Sequence, residues 1–221
     1  MRAQNIWTGL ALLLTVAAAG ASKIHLISFG KWNSVPWSSG SVADEKPLLI
    51  KIRPLLVDGQ IKEYVMGAPH DVTDRLFVVR RAFRVNDSLP ADAAPRWQWQ
   101  RGGWLLVDRV TGHVSAVNLA EFDPLYSVAA WYRDYAAYCG VGEDGKKTYM
   151  VVAQLNRRKP ILKKALGDLS DDAPADSACP SPVWERNPVR VSFEPAGSSK
   201  QTFAIRGRVV DVVSEEEEGE K

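Results

Sequence analysis

Apolar and polar residues alternate with a period of two along much of this chain, and clusters of Gly, Pro, Asn and Asp interrupt the alternation at short intervals. Val189, Val191 and Phe193 alternate with Arg190, Ser192 and Glu194, the pattern of a half-buried strand. In residues 48–57, Ile50 and Ile52 alternate with Lys51 and Arg53, while Pro54 predicts an edge position or a split. Asp58-Gly59 then predicts a hairpin turn into a strand at 61–66, because both residues tolerate positive φ. Residues 75–85 place Phe77, Val79, Phe83 and Val85 in a strand. Two runs, 104–108 and 113–117, flank Val110-Thr111-Gly112 and predict a second hairpin. Residues 183–195 and 200–213 predict a final pair around 196–199. Residues 31–47 and 67–74 read as loops, and 86–96 as a linker. No long amphipathic helix is present in the pattern. Residues 129–137 admit a helical reading, which the aromatic spacing and flanking Gly argue against.

The densest run of strand signals is 127–166. Turn clusters at Arg133-Asp134, at 142–145 and at 156–159 divide it into short runs rich in β-branched and aromatic residues. Its rhythm, Trp131 to Tyr138, then a Gly/Asp turn, then the run 148–155, resembles one blade of a β-propeller. The hairpin 104–117, with Asp108 before Thr111-Gly112, resembles a blade's outer hairpin. The Trp-Asp and Gly-His pairs of the best-known propeller repeat are missing. The expected fold is therefore all-β: antiparallel meanders of roughly ten strands in a small or incomplete propeller-like arrangement, with a β-sandwich as the alternative.

The first residues change the compartment. Arg2 precedes an apolar run of 15 residues, 6–20, short of the ~20 that a spanning helix needs. Ala19-Gly20-Ala21 fits small-x-small cleavage. The expected organisation is a signal peptide at 1–21, one β-rich domain at 22–213 and a disordered acidic tail at 214–221. The alternative is an uncleaved anchor. An exported chain, periplasmic or extracellular, has no stable membrane span after cleavage. Cys139 and Cys179 are the two cysteines, an even number that predicts a disulfide in an oxidising compartment, with two free thiols as the alternative.

Net charge is +2 over 221 residues, which gives no global argument for nucleic acid. Residues 22–213 nevertheless hold 26 Lys and Arg against 21 Asp and Glu, and eight Trp is high for the length. Trp32, Trp37, Trp97 and Trp99, with Arg80, Arg81 and Arg84, are the candidate binding residues. Against this stand packed Trp side chains and a solvated strand face.

Other chemistry is weakly signalled. His70, Asp71 and Asp74 hold metal-binding or acid–base potential, but one His without repeated ligand spacing reads better as a turn. Asp108 and His113 can approach across a turn, with no Ser or Cys nucleophile beside them. Four Asp in 167–182 do not match a calcium loop. No metal and no cofactor are expected, and no phosphate-loop, dinucleotide or hydrolase motif occurs. The sequence thus points to a non-enzymatic binding module of the cell envelope contacting a protein or glycan. A glycan hydrolase built on two carboxylates and a structural subunit of an envelope assembly are the alternatives.

Overall fold

The alternating runs become strands, and three sheets collect them. The computed structural model describes residues 24–37, 48–90, 94–168, 179–195, 199–207 and 209–213. Among these residues fifteen strands form and no helix does. The segment read as a signal peptide and the acidic tail lie outside the described residues, as do 38–47 and most of the Asp-rich loop. No helix among the described residues is long and apolar enough to cross a membrane.

In sheet 1, β1 (Ile27–Phe29) and β2 (Asn33–Trp37) lie end to end along one edge of β3 (Leu48–Val57). The other edge of β3 carries β4 (Gln60–Asp71), followed by β5 (Leu76–Asn86), β6 (Trp97–Asp108) and β7 (Val114–Val117), all antiparallel. One parallel bridge, Trp37 to Trp99, joins β2 to β6 and closes β2 through β6 into a five-stranded barrel. Asp58 and Gly59, with φ of 53° and 78°, make the expected tight turn between β3 and β4.

Pro54 neither splits β3 nor confines it to an edge. Proline lacks an N–H and removes one ladder bond. The chain accommodates this by breaking the neighbouring strand: β1 ends at Phe29 opposite Leu55, and β2 starts at Asn33 opposite Ile52. Thus Asn33–Trp37 is a strand where the Ser- and Pro-rich composition predicts a loop. Residues 67–71 likewise continue β4 instead of looping. The ladder jumps from Met66–Arg80 to His70–Val78, a bulge that absorbs Gly67, Ala68 and Pro69.

A further bulge sets the barrel interior. Arg80 pairs with Trp104, and the next pair is Ala82 with Arg101. The slip leaves Phe77 and Val79 facing inward on one side of it and Ala82 inward on the other. Phe77, Val79, Leu105 and Val107 pack with Leu55 and Val65 at one end of the barrel. Ala82 packs with Trp37, Ile50 and Ile52 at the other.

Sheet 2 consists of β8 (Ala130–Tyr132), β9 (Tyr135–Val141), β10 (Lys147–Gln154) and β11 (Leu162–Asp168). Sheet 3 consists of β12 (Val183–Arg186), β13 (Val189–Phe193), β14 (Gln201–Arg206) and β15 (Val209–Val213). The run 183–195 folds back on itself at residues 187–188 and gives two strands. Sheets 2 and 3 are four-stranded antiparallel meanders packed face to face. Residues 97–117, by contrast, belong to the barrel and are not a separate unit of that kind.

Sheet 2 is the middle layer. Ala136, Tyr138, Val151 and Ala153 meet Val78, Trp104 and Leu119 of the barrel side. Ala137, Cys139, Met150 and Val152 meet Val191, Phe193, Phe203 and Ile205 of sheet 3. Burial on both faces explains why 136–139 and 150–153 read as unbroken apolar runs. Cys139 and Cys179 form the expected disulfide, with Cα atoms 6.1 Å apart, and both cysteines lie in the core between sheets 2 and 3.

Candidate functional site

One end of the barrel gathers aromatic rings and guanidinium groups. β5 and β6 place Arg84 opposite Trp99. The period of two puts Trp97 on the same face as Trp99. The Arg84 guanidinium carbon lies 5.5 Å from the Trp99 ring centre and 5.7 Å from that of Trp97, within cation–π range of both. Trp97 is 56% exposed and Arg84 is exposed, so this pair of faces opens to solvent. Beneath them Tyr64 meets Trp99 edge to face, with ring centres 5.1 Å apart. Trp37 is buried at 5% exposure, and the Arg101 guanidinium covers its ring at 3.8 Å.

Trp32 belongs to a separate stack. Arg53 lies between Trp32, at 4.3 Å, and Phe29, at 4.0 Å. Burial lowers the Arg53 guanidinium from its ordinary value. Trp32 remains 46% exposed and adds a second aromatic surface at the break between β1 and β2.

Arg80, Arg81 and Arg84, which could make a basic surface or a solvated strand face by sequence, occupy three environments. Arg80 is only 8% exposed. Its guanidinium donates to the carbonyls of Pro124 at 2.6 Å, Ser127 at 3.3 Å and Gly102 at 3.4 Å. It therefore anchors the connection between sheets 1 and 2. Arg81 points elsewhere and pairs with Glu63 at 3.0 Å. Only Arg84 joins the Trp cluster.

The candidate metal trio is dispersed. His70 sits in β4, stacks on Trp131 and has Nε2 2.9 Å from the Arg133 carbonyl. Asp71 accepts from Arg109 at 2.7 Å, and the Asp74 carbonyl accepts from the same arginine at 3.2 Å. No group of three or more His, Cys, Asp or Glu suited to a metal ion occurs among the described residues.

Asp108 and His113 meet through backbone only, the Asp108 N–H donating to the His113 carbonyl at 3.0 Å. The Asp108 carboxylate binds Arg75 through Nε at 2.9 and 3.0 Å and Nη2 at 2.5 Å. Those bonds hold the carboxyl far below its ordinary range. Burial opposes them, and N–H groups of Val110 and Thr111 assist.

A groove of about 990 Å³ lies between β7 and the turns of sheet 2, and three carboxylates line it: Glu121, Asp123 and Glu143. Glu121 binds Lys163 at 2.6 Å, which raises that lysine. Asp123 accepts the N–H groups of Leu125 and Tyr126 at 2.7 and 3.0 Å. Burial, then Glu121, raises the Tyr138 hydroxyl, which donates to the Ala120 carbonyl at 2.5 Å. Two of the three carboxylates are thus committed to ion pairing and turn formation.

Sequence reasoning missed Arg53, Arg101 and Tyr64 as members of the aromatic clusters. Arg101 carried a usable signal, since it stands two residues beyond Trp99 and so shares its face. Arg53 did not: its alternation with Ile52 reads as a wet face, and only the break between β1 and β2 brings Phe29 and Trp32 over it. No protein-family model, curated protein or solved structure matches this chain.

Proposed function

We propose that this protein is an exported, non-enzymatic binding module of the cell envelope, and that the Trp97–Trp99–Arg84 end of its barrel contacts an anionic glycan. The observation that carries the reading is the exposed Arg84 guanidinium within cation–π reach of both Trp97 and Trp99. A sugar ring presents C–H groups to an aromatic face, and a carboxylate, sulfate or phosphate on it pairs with a guanidinium. The support beneath the site favours recognition over chemistry. Tyr64 packs on the Trp99 ring, Trp37 bridges to the Trp99 backbone beneath the Arg101 guanidinium, and a fixed aromatic surface binds without the cost of being ordered.

Export is supported by the N-terminal pattern of a positive residue, an apolar run and small residues, together with the Cys139–Cys179 disulfide. The non-enzymatic reading is supported by the structural employment of Asp108, Glu121 and Asp123.

The test is binding of the purified chain to immobilised polygalacturonate, with dextran as the neutral control. Retention on the acidic polymer that weakens with salt and is lost in Trp97→Ala and Arg84→Ala supports the reading. Equal retention by wild type and both variants, or none on either polymer, overturns it. An intact mass from the native host tests export. A mature chain starting at Ser22 is expected, and a full-length chain would remove that part of the proposal.

A further inference from the structure

We infer that the groove beside β7 is a second site, which takes an extended peptide of another protein: the peptide adds as a strand to β7 and sets an acidic side chain against Arg157 and Arg158.

The argument begins with the free edge of β7. Among the described residues β7 pairs with β6 alone. The Asp108 N–H donates to the His113 carbonyl, and antiparallel ladders alternate residues that bond across with residues that point away. Counting from that pair along the unbroken register, Ser115 and Val117 bond to β6, and Ala116 turns its N–H and C=O outward. Ala116 is exposed and lines the groove.

Edge strands are ordinarily protected by charge, proline or cover. β11 carries Lys163 and Lys164, and β12 carries Glu185 and Arg186. The sequence of β7, Val-Ser-Ala-Val, carries no such guard. An unguarded edge alone invites aggregation. Here it forms one wall of a groove with an apolar floor of Leu106, Val117, Leu119, Phe122 and Leu155. That combination fits strand addition: main-chain bonds give affinity, and alternate side chains of the added strand enter the groove.

Charge selects the occupant. Of the three lining carboxylates, Glu121 engages Lys163 and Asp123 the Leu125 and Tyr126 amides, while Glu143 stands in the turn before β10, at the other end of that strand from 157–158. Arg157 and Arg158, in the turn after β10, also line the groove and are exposed. No carboxylate among the described residues forms an ion pair with either. The rim at 157–158 therefore suits an Asp or Glu of the incoming strand.

The experiment pans a phage-displayed library of random peptides roughly ten residues long, the length of a long strand, against the full mature chain. Enriched peptides are expected to alternate apolar residues and to carry Asp or Glu. The synthesised consensus peptide should lose about tenfold or more in affinity on Ala116→Pro, which removes an outward N–H and no bond of the β6–β7 ladder. It should lose a similar factor on the surface double variant Arg157→Glu/Arg158→Glu, and more affinity when its own backbone is N-methylated at alternate residues. Unchanged thermal midpoints establish that both variants fold. Equal binding to wild type and variants, indifference to N-methylation, or no enrichment overturns the inference. So does dimerisation of the chain that Ala116→Pro abolishes, since a second copy would then be the occupant. Trp97→Ala leaves this binding unchanged, so the two proposed sites fail or stand separately.

Discussion

Gly30 lies directly against Pro54: its N–H donates to the Pro54 carbonyl at 2.9 Å, and a Cβ built on it would stand 2.4 Å from the proline Cγ. A proline ring cannot swing aside as a flexible side chain does. Gly30→Ala therefore forces β1 away from β3 and should cost about 1–3 kcal/mol, as overpacking does. A lowered chemical-denaturation midpoint with an unchanged slope checks this. An unchanged midpoint would mean that the break between β1 and β2 is loose.

Arg80 and Arg84 should separate cleanly. Arg80→Met leaves the carbonyls of Gly102, Pro124 and Ser127 without their guanidinium donor, and should destabilise the fold by about 2–4 kcal/mol. Arg84→Ala removes an exposed group and should change stability by about 0.5 kcal/mol or less. Thermal midpoints of the two variants are the measurement, and similar midpoints would contradict the assigned environments.

Asp108 carries a pH dependence of known sign. Its folded carboxyl lies below the unfolded value of about 4, so its contribution is present above that pH. The contribution is withdrawn as pH falls toward the folded value. Asp108→Asn lacks this term, and its stability should fall less steeply than wild type below about pH 4. Urea midpoints at neutral and acid pH compare the two, and parallel curves would exclude Asp108 as a source of acid sensitivity.

Reducing the Cys139–Cys179 disulfide releases a link across 40 residues of sequence within the core between sheets 2 and 3. The loss should be about 2–5 kcal/mol. Amide exchange should rise first at Val191, Phe193 and Phe203, because sheet 3 is the layer the bridge ties down. Uniform acceleration through all three sheets would instead show that the chain unfolds as one unit.

The sequence made some of this architecture readable and hid the rest for physical reasons. Period-two alternation identifies β3 and β13, and the turn at 110–112 marks the hairpin β6–β7, whereas in β5 the alternation is incomplete because Val78 on its second face is buried against sheet 2. The two cysteines leave one possible pairing, Cys139 with Cys179, and the structure forms it where two free thiols were the alternative. The Arg80-Arg81 doublet reads as one basic surface, yet neighbours in a strand point to opposite faces, and only the tertiary fold shows Arg80 turned to the carbonyls of Gly102, Pro124 and Ser127. Residues 33–37 and 67–71 look like loops by composition and are strands by pairing, since β3 and β5 supply the ladders. At the candidate site, Trp97 and Trp99 are two residues apart and show their common face in the sequence. Trp37 reaches Trp99 only through the single parallel bridge that closes the barrel, which no local pattern encodes.

The middle position of sheet 2 also bears on how this protein can change over generations. A strand with one wet face drifts along its outward row, as Lys51 can in β3 with little consequence. In β9 and β10, residues 136–140 and 150–153 have no outward row. A new volume at any of them presses on the barrel, on the connection that leads from it, or on sheet 3. Lineages of this fold should therefore diversify at the barrel mouth and the outer hairpins, and remain tied to the same small and apolar residues at their centre.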